Sequence, residues 1–361
     1  MQQPQRQCIG IDCAKDDFAV SLGVMDSQRE VSHLIFKEFK NSWEGFQSFE
    51  KWVKQKADFQ LPLVFVIEAT GVYHERLACF IFDLGYDISV VLPKRARDFS
   101  RTLKVKTIND KIAAKYLAQM GLEKKLELWK RPEHIYMQLR QLTREKERLQ
   151  NQLTALKNEL HAIESGEWEN QRTIIRLDQQ MELLNTQVKQ VMQDIQQLIT
   201  EHPELKRKVK HALTIPGVGL LTAVTVIAET RGFDQIYNKR QLISYAGYDV
   251  QSHESGTSVS TKAKISKKGN RHIRRAMHMP ALSSIRSEEQ NKALFMRIVS
   301  KTGIKMKGVV AVQRKLLVMI YTIWKNDIDY DPNYEQKRRV TQCHPTRAGL
   351  NPLTELLSTQ R

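Results

Sequence analysis

The stretch CIGIDCA, residues 8–14, is a short apolar run with an aspartate, Asp12, set inside it. Its length and β-branched content predict a strand. FAVSLGV (18–24) and REVSHLIFKEF (29–39) follow with only the polar turns DD and MDSQ between them, so the three runs read as an antiparallel meander. SWEGFQSFEKWV comes next, where Trp43, Phe46, Phe49 and Trp52 recur at helical spacing. LPLVFVIEAT (61–70) is then almost wholly apolar, as in a strand buried on both faces, and Glu68 stands near its end.

A helix (GVYHERLACFIFDLG), a strand (YDISVVLP) and a further helical region through residue 120 complete this part. A meander leading into alternating helix and strand is the element order of a ribonuclease-H-like α/β domain, expected over about residues 6–125. Further on, apolar residues fall in 4-3 alternation at Ile135, Leu139, Leu142, Leu149, Leu153, Leu156, Leu160 and Ile163, interrupted at Lys146. A second seam runs from Ile174 through Leu177, Met181, Leu184, Val188, Val191 and Ile195 to Leu198, and the short SGE break at 165–167 folds the chain back. Two readings stand for this antiparallel coiled coil: a plain helical spacer, or a protruding arm that sets oligomer geometry or grips a partner. From residue 203 the pattern is helix, Pro-Gly-x-Gly turn, helix, then a hydroxyl-rich loop and a basic helix within 241–285, and a last amphipathic helix over 304–325. Beyond about 329 periodicity is lost and proline accumulates, which predicts a mobile tail.

The chain of 361 residues is long enough for two or three cores, and 41% hydrophobic content excludes disorder as its general state. Fifty-seven Lys and Arg against 40 Asp and Glu leave +17, which points to a polyanionic partner, nucleic acid first. No run approaches the roughly 20 apolar residues of a membrane span, and MQQPQRQ resembles neither a signal peptide nor a lipidation site, so the expected location is the cytoplasm with no membrane partner. Four scattered cysteines without CxxC or Cys/His spacing give neither a disulfide framework nor a zinc site.

Chemistry is sought first where acids sit in apolar surroundings, because an ionised carboxylate there costs several kcal/mol unless it is paired or metal-bound. Asp12 and Glu68 are such acids, and Asp110 opens a later helix. Each alone reads equally as a cap or an ion-pair partner; together they suit a hard cation such as Mg²⁺. In HESGTSVSTKAKISKKGN, hydroxyls at Ser255, Thr257, Ser258, Ser260 and Thr261 precede Lys262, Lys264, Lys267, Lys268, Arg271, Arg274 and Arg275, with no acid among those cations. A loop serine is ordinarily just solvated and a charge run is commonly a solvated face. Cations lacking counter-charges nonetheless suit a phosphate backbone, and a serine hydroxyl held among them suits attack on a phosphodiester. LTIPGVGLLTA is similar to a helix-hairpin-helix turn, where Gly217 and Gly219 let backbone N–H groups approach a phosphate; PGxG also serves as a plain tight turn.

GIDCAK (10–15), EATGVYHE (68–75), the segment from Lys106 to Ala118 with NDKI inside it, IPGVG (215–219) and SYAGYDVQSHESGTSV followed by ISKKGNRHIRRAMHMPA closely resemble the DEDD-type insertion-sequence transposases, relatives of the pilin-gene invertase. The resemblance spans about residues 8–325. It implies a RuvC-like domain over 1–125, a coiled-coil arm over 126–203, a serine transposase domain over 204–328 and a tail over 329–361. It further implies Mg²⁺ at Asp12, Glu68 and Asp110, Ser255 as nucleophile in a covalent serine-DNA intermediate, and donor and target DNA as substrates. A structured guide, the bridge RNA, is implied as partner, with dimers assembling to a tetramer. The family's fourth acid follows the third by three positions, where this chain has Ala113. One altered position in an otherwise intact motif implies an inactivating substitution and impaired cleavage, with nucleic-acid binding retained. Two other readings of the residues stay open: a junction nuclease using the carboxylates and water, and a non-catalytic nucleic-acid-binding scaffold.

Overall fold

The computed structural model describes residues 4–103, 107, 109–251, 254–255, 259–260 and 264–333, and for residues 34, 254, 255, 259 and 260 the backbone alone. The chain divides into two compact units, residues 1–131 and 132–361.

In the first unit the meander forms as the sequence predicts: β1 (Pro4–Cys13), β2 (Asp17–Asp26) and β3 (Val31–Lys40). After α1 (Trp43–Lys56), β4 (Leu63–Glu68) joins the far side of β1 in parallel. After α2 (Glu75–Asp83), β5 (Asp87–Val91) pairs parallel to β4, which completes the sheet order β3-β2-β1-β4-β5. This is the α/β ribonuclease-H-like arrangement expected from the element order. Two helices, α3 (Pro93–Thr102) and α4 (Asp110–Glu123), occupy the region read as one helical stretch.

Strand alternation assigns the two faces. Ile9, Ile11 and Cys13 pack with Phe46, Phe49 and Trp52 of α1 and Leu77 and Ile81 of α2. Cys8 of β1 and Val66 of β4 pack on the opposite face with Ala113, Leu117 and Met120 of α4. Gly10 shares that second face, and a Cβ built on it would lie 2.1 Å from the Ala114 carbonyl oxygen. The missing side chain is therefore what lets α4 ride directly across β1. By the same alternation Asp12 and Glu68 fall on the face that α4 crosses.

Among its described residues the second unit is helical apart from two small ladders. α5 (His134–Glu164) and α6 (Gln171–Glu201) are 31 residues each and pack against one another. Of the predicted seam, Leu139, Leu149, Leu153, Leu177, Val191 and Ile195 are buried and the remainder half-buried. Leu139, Leu149, Val191, Ile195 and Ile199 belong to one core with α7 (Pro203–Leu213), α8 (Leu220–Glu229), α9 (Lys239–Ala246) and α10 (Arg271–Ala276). α11 (His278–Ser287), α12 (Glu289–Thr302) and α13 (Lys305–Asn326) close that core. The helices α9 and α12 were not anticipated: α9 is only eight residues and lies within a segment whose hydroxyls and glycines dominate the reading. Within that segment β6 (Val250–Gln251) pairs with β9 (Lys264–Ile265), and β7 (Glu254–Ser255) with β8 (Val259–Ser260). Past α13 the chain is tied back, the Tyr330 backbone N–H donating to Thr214 Oγ1 at 2.8 Å. Residues 334–361, the greater part of the expected tail, lie outside the described residues. No described helix is long and apolar enough to cross a membrane.

Candidate catalytic site

Asp12 stands near the end of β1, Glu68 at the end of β4, and Asp110 in the first turn of α4, whose start is capped by Asn109 Oδ1 accepting the Ile112 N–H at 2.9 Å. Asp12 feels the charge of both other carboxylates. Burial pushes the Asp12 carboxyl up to about 6, and the negative charges of Glu68 and Asp110 push it the same way. Burial also raises Glu68, while a hydrogen bond from Tyr116, its hydroxyl 3.3 Å from Glu68 Oε2, and the charge of Arg97 partly offset it. Tyr116, on α4, is itself driven upward by burial and by the charges of Glu68 and Asp12.

Asp12 and Asp110 line a concavity of about 370 Å³ together with Lys15, Glu38, Thr70 and Tyr73. Glu38 carries no motif signal, and register explains its presence: Asp12 pairs with Ala19, and Ala19 with Glu38. Directly opposed residues share a face, so Glu38 lies on the Asp12 side with only a methyl group between. Ala113, where the family pattern has its fourth acid, is 3% exposed and packs into the hydrophobic cluster under α4.

The donors at this site are carboxylate oxygens, the kind a hard divalent cation takes, and Asp12 is held toward protonation by burial and by its acidic neighbours. Among the described residues, no three His, Cys, Asp or Glu groups are gathered closely enough to ligate a metal as they stand. The chemistry of the set fits a divalent ion, and ligation by all three would need their side chains to close further.

The second unit holds the other predicted residues. Ser255 pairs by backbone with Val259 in the β7–β8 ladder. Gly256, Thr257, Ser258, Thr261 and Lys262 lie outside the described residues. Lys264, Lys267, Lys268 and Arg271 are exposed. Arg274 instead donates to the Ala246 carbonyl oxygen at 2.8 Å, and Arg275 to Glu147 Oε1 at 2.8 Å. His278, three residues past Arg275, begins a new helix, α11. The acids absent from the run thus arrive from α5. Gly217 has φ +85°, and a Cβ there would meet the Pro280 carbonyl oxygen of α11 at 2.8 Å, so packing alone requires a glycine. Gly219 caps α8 and faces open space, which leaves its side of the turn accessible.

A polar cluster that the sequence reading missed fixes the basic helix. Glu229, at the end of α8 with a side chain only 1% exposed, accepts from Arg144 Nε at 2.7 Å, from a second Arg144 nitrogen at 2.9 Å and from Asn270 Nδ2 at 2.6 Å. Asn270 Oδ1 in turn accepts the N–H groups of His272 and Ile273 and so caps α10. Burial would raise Glu229, yet the bonds from Arg144 and Asn270 outweigh it and hold the carboxyl below the usual range. His272 and Arg275 do the same for Glu147 against its burial. The missed signal was an acid closing the apolar run LLTAVTVIAE, the very criterion that found Asp12 and Glu68.

The model of the DEDD_Tnp_IS110 transposase family matches residues 9–163, and that of the IS116/IS110/IS902 transposase family matches residues 209–296. A model of the CENPU protein matches residues 111–234, a span dominated by the long helices α5 and α6. The pilin gene-inverting protein of Moraxella bovis is 26% identical over 326 residues, covering 90% of this chain and 97% of its own length, and that of Moraxella lacunata matches equally. The transposase for insertion sequence element IS1111A of Coxiella burnetii is 29% identical over 114 residues, 30% of this chain and 31% of its own. Among solved structures, Thermus thermophilus RuvC is 11% identical with a TM-score of 0.27, covering 34% of this chain and 99% of that one. The fowlpox virus Holliday junction resolvase is 14% identical with a TM-score of 0.24, over 32% and 98%. At such scores these two structural likenesses carry no weight here.

Proposed function

We propose, for a chain that is a DEDD-type transposase of the IS110 kind, that it cuts and rejoins DNA using the carboxylates of Asp12, Glu68 and Asp110 and the hydroxyl of Ser255. The observation that carries this reading is the Asp12 carboxyl, pushed up to about 6 by burial and by two neighbouring acids that lie far from it in sequence. An acid kept in that condition is poised to take up positive charge. Held by Asp12, Glu68 and Asp110, Mg²⁺ would offset charge on the phosphoryl oxygens and orient the scissile phosphate.

The Ser255 oxygen attacks phosphorus, forming a serine phosphodiester as the bond from phosphorus to the leaving deoxyribose oxygen breaks. The serine proton leaves to a solvent base, and the released oxygen takes up a proton. Attack by another strand's hydroxyl on the serine ester reverses the exchange and rejoins DNA. Lys264, Lys267, Lys268 and Arg271, exposed around this segment, and Lys262 within it offset phosphate charge, and the N–H groups beside Gly219, with Gly217 shaping the turn, meet a further phosphate. Arg274 and Arg275 contribute positive potential while holding α10 in place. A bridge RNA selects donor and target DNA by base pairing, α5 and α6 serve as an antiparallel coiled-coil arm, and dimers assemble to a tetramer. Ala113 leaves the carboxylate set one short, so cleavage by this chain is impaired while nucleic-acid binding persists.

Recombination between donor and target plasmids, with RNA co-purified alongside the protein, tests this reading in an Ala113→Asp background. Recombinants and a protein-DNA adduct surviving denaturant are expected, and both disappear in Ser255→Ala. An active enzyme without an adduct would put water in the serine's place. Tight, salt-dependent binding with no cleavage after the repair would leave a non-catalytic scaffold.

A further inference from the structure

Two features of the second unit go beyond the chemistry above, although Lys264, Lys267 and Arg274 at the border of the second also serve it. The first is the turn joining α5 to α6. Residues 158–171 hold Glu159, Glu164, Glu167 and Glu169 and no Lys or Arg, in a chain of net charge +17. Among these acids Trp168 is 88% exposed. A tryptophan displayed so fully on a rigid support is the usual anchor of a protein interface, and four acids around it exclude a nucleic acid as the partner.

The second is a groove of about 1370 Å³ running along α13. Its apolar lining is mainly aliphatic, with Ile243, Val310, Val318 and Met319 beside Tyr248 and Tyr330, and Val250, Ile304 and Met306 exposed. On α13 the residues Lys307, Val310, Arg314, Val318 and Thr322 recur at helical spacing and form a stripe separate from the buried face made by Val312, Leu316, Ile320 and Trp324. Eight cations, among them Lys239, Arg240, Lys307, Arg314 and Lys315, line it against two acids, Asp329 and Asp331. A phosphate backbone would bury none of that aliphatic surface, and bases stack on aromatic rather than aliphatic floors. An aromatic side chain flanked by carboxylates matches both the apolar lining and the cations.

The turn stands off the core of its own chain. Leu149 is the last residue of α5 in the common core, and the 15 residues from there to Glu164 carry the turn about 22 Å beyond it at 1.5 Å per residue, on two paired helices. We propose that Trp168 and the glutamates beside it, on one copy of this chain, dock in the α13 groove of a second copy. Each copy offers both a turn and a groove, so two copies make the contact reciprocally.

Sedimentation velocity of the full chain, freed of nucleic acid, reads the contact. Trp168→Ala weakens self-association about tenfold or more, and so do Glu167→Lys with Glu169→Lys on the turn and Arg314→Glu with Lys315→Glu on the groove. Combining both charge reversals in one chain restores association, which mere damage to folding would not do. Equal association of Trp168→Ala and the parent, or no recovery in the combined variant, overturns the proposal. A photoreactive p-benzoylphenylalanine at position 318, in mixed isotopically light and heavy copies, identifies the occupant. Capture of residues 164–172 across copies supports the docking; capture of residues 334–361 within one copy, or of added nucleic acid in preference to protein, overturns it.

Discussion

Asp12 and Glu229 are both carboxylates set in apolar surroundings, and the protein treats them in opposite ways. Glu229 meets a guanidinium and an amide on two oxygens and is held below the usual carboxylate range in spite of its burial. Asp12 is pushed up to about 6 by burial and has carboxylates for neighbours. The first acid is compensated from within and serves the architecture of α8, α5 and α10. The second is raised first by burial and then by its acidic neighbours, the condition the proposed metal site calls for. Burial alone therefore does not decide the state of a carboxyl; its partners do.

The contrast breaks most visibly at Arg144. Arg144→Met leaves Glu229 buried with Asn270 alone, and the second unit should lose about 3 kcal/mol, read as a fall of several degrees in its calorimetric transition. That loss should shrink on acidification, because Glu229 then protonates more readily than in the parent. Next in size, Ala113→Asp introduces a fourth carboxylate at a buried position of the first unit. Without divalent ion it should cost about 2 kcal/mol, and millimolar Mg²⁺ should recover most of it, since an ion bound by the folded state alone stabilises that state. A repaired chain whose melting ignores Mg²⁺ would remove the metal from the reading.

The pH dependence sharpens the same contrast. Glu229 has a folded value below its unfolded 4.5, so its contribution is present above pH 4.5 and is lost as pH falls through the lower folded value. Asp12 has a folded value of about 6 against 3.8 unfolded, so its ionisation destabilises the fold; that penalty is full above pH 6 and fades as pH falls toward 3.8. As pH falls from 7.5 to 5, with metal chelated, the first unit should therefore gain thermal stability relative to that of Asp12→Asn. The smallest effect is expected at Glu38. Glu38→Gln should leave melting unchanged and weaken Mg²⁺ binding by calorimetry only slightly in the Ala113→Asp background, because Glu38 acts through charge across Ala19.

Much of the first unit was legible. Its meander and buried strand follow from alternation and apolar runs, and Asp12 and Glu68 were found as acids interrupting them. The crossing of α4 over β1 was not, because it depends on the absence of a side chain at Gly10 facing Ala114, more than 100 residues on. In the second unit the basic run was read as free of counter-charges, and locally it is; Glu147, which holds His272 and Arg275, lies 125 and 128 residues away. Glu229 was legible by the criterion already in use and was passed over because LLTAVTVIAE reads so fully as a buried helix.

The sequence by itself determined most of the elements and which residues are candidates for chemistry, since periodicity, caps and residue type are properties of short stretches. It also showed the alanine at 113, a matter of identity alone. Tertiary structure decided which acids stay uncompensated and which arginines are already engaged. Those outcomes depend on distances of a few ångströms between residues far apart in the chain, and electrostatic energy is set by separation in space and by burial.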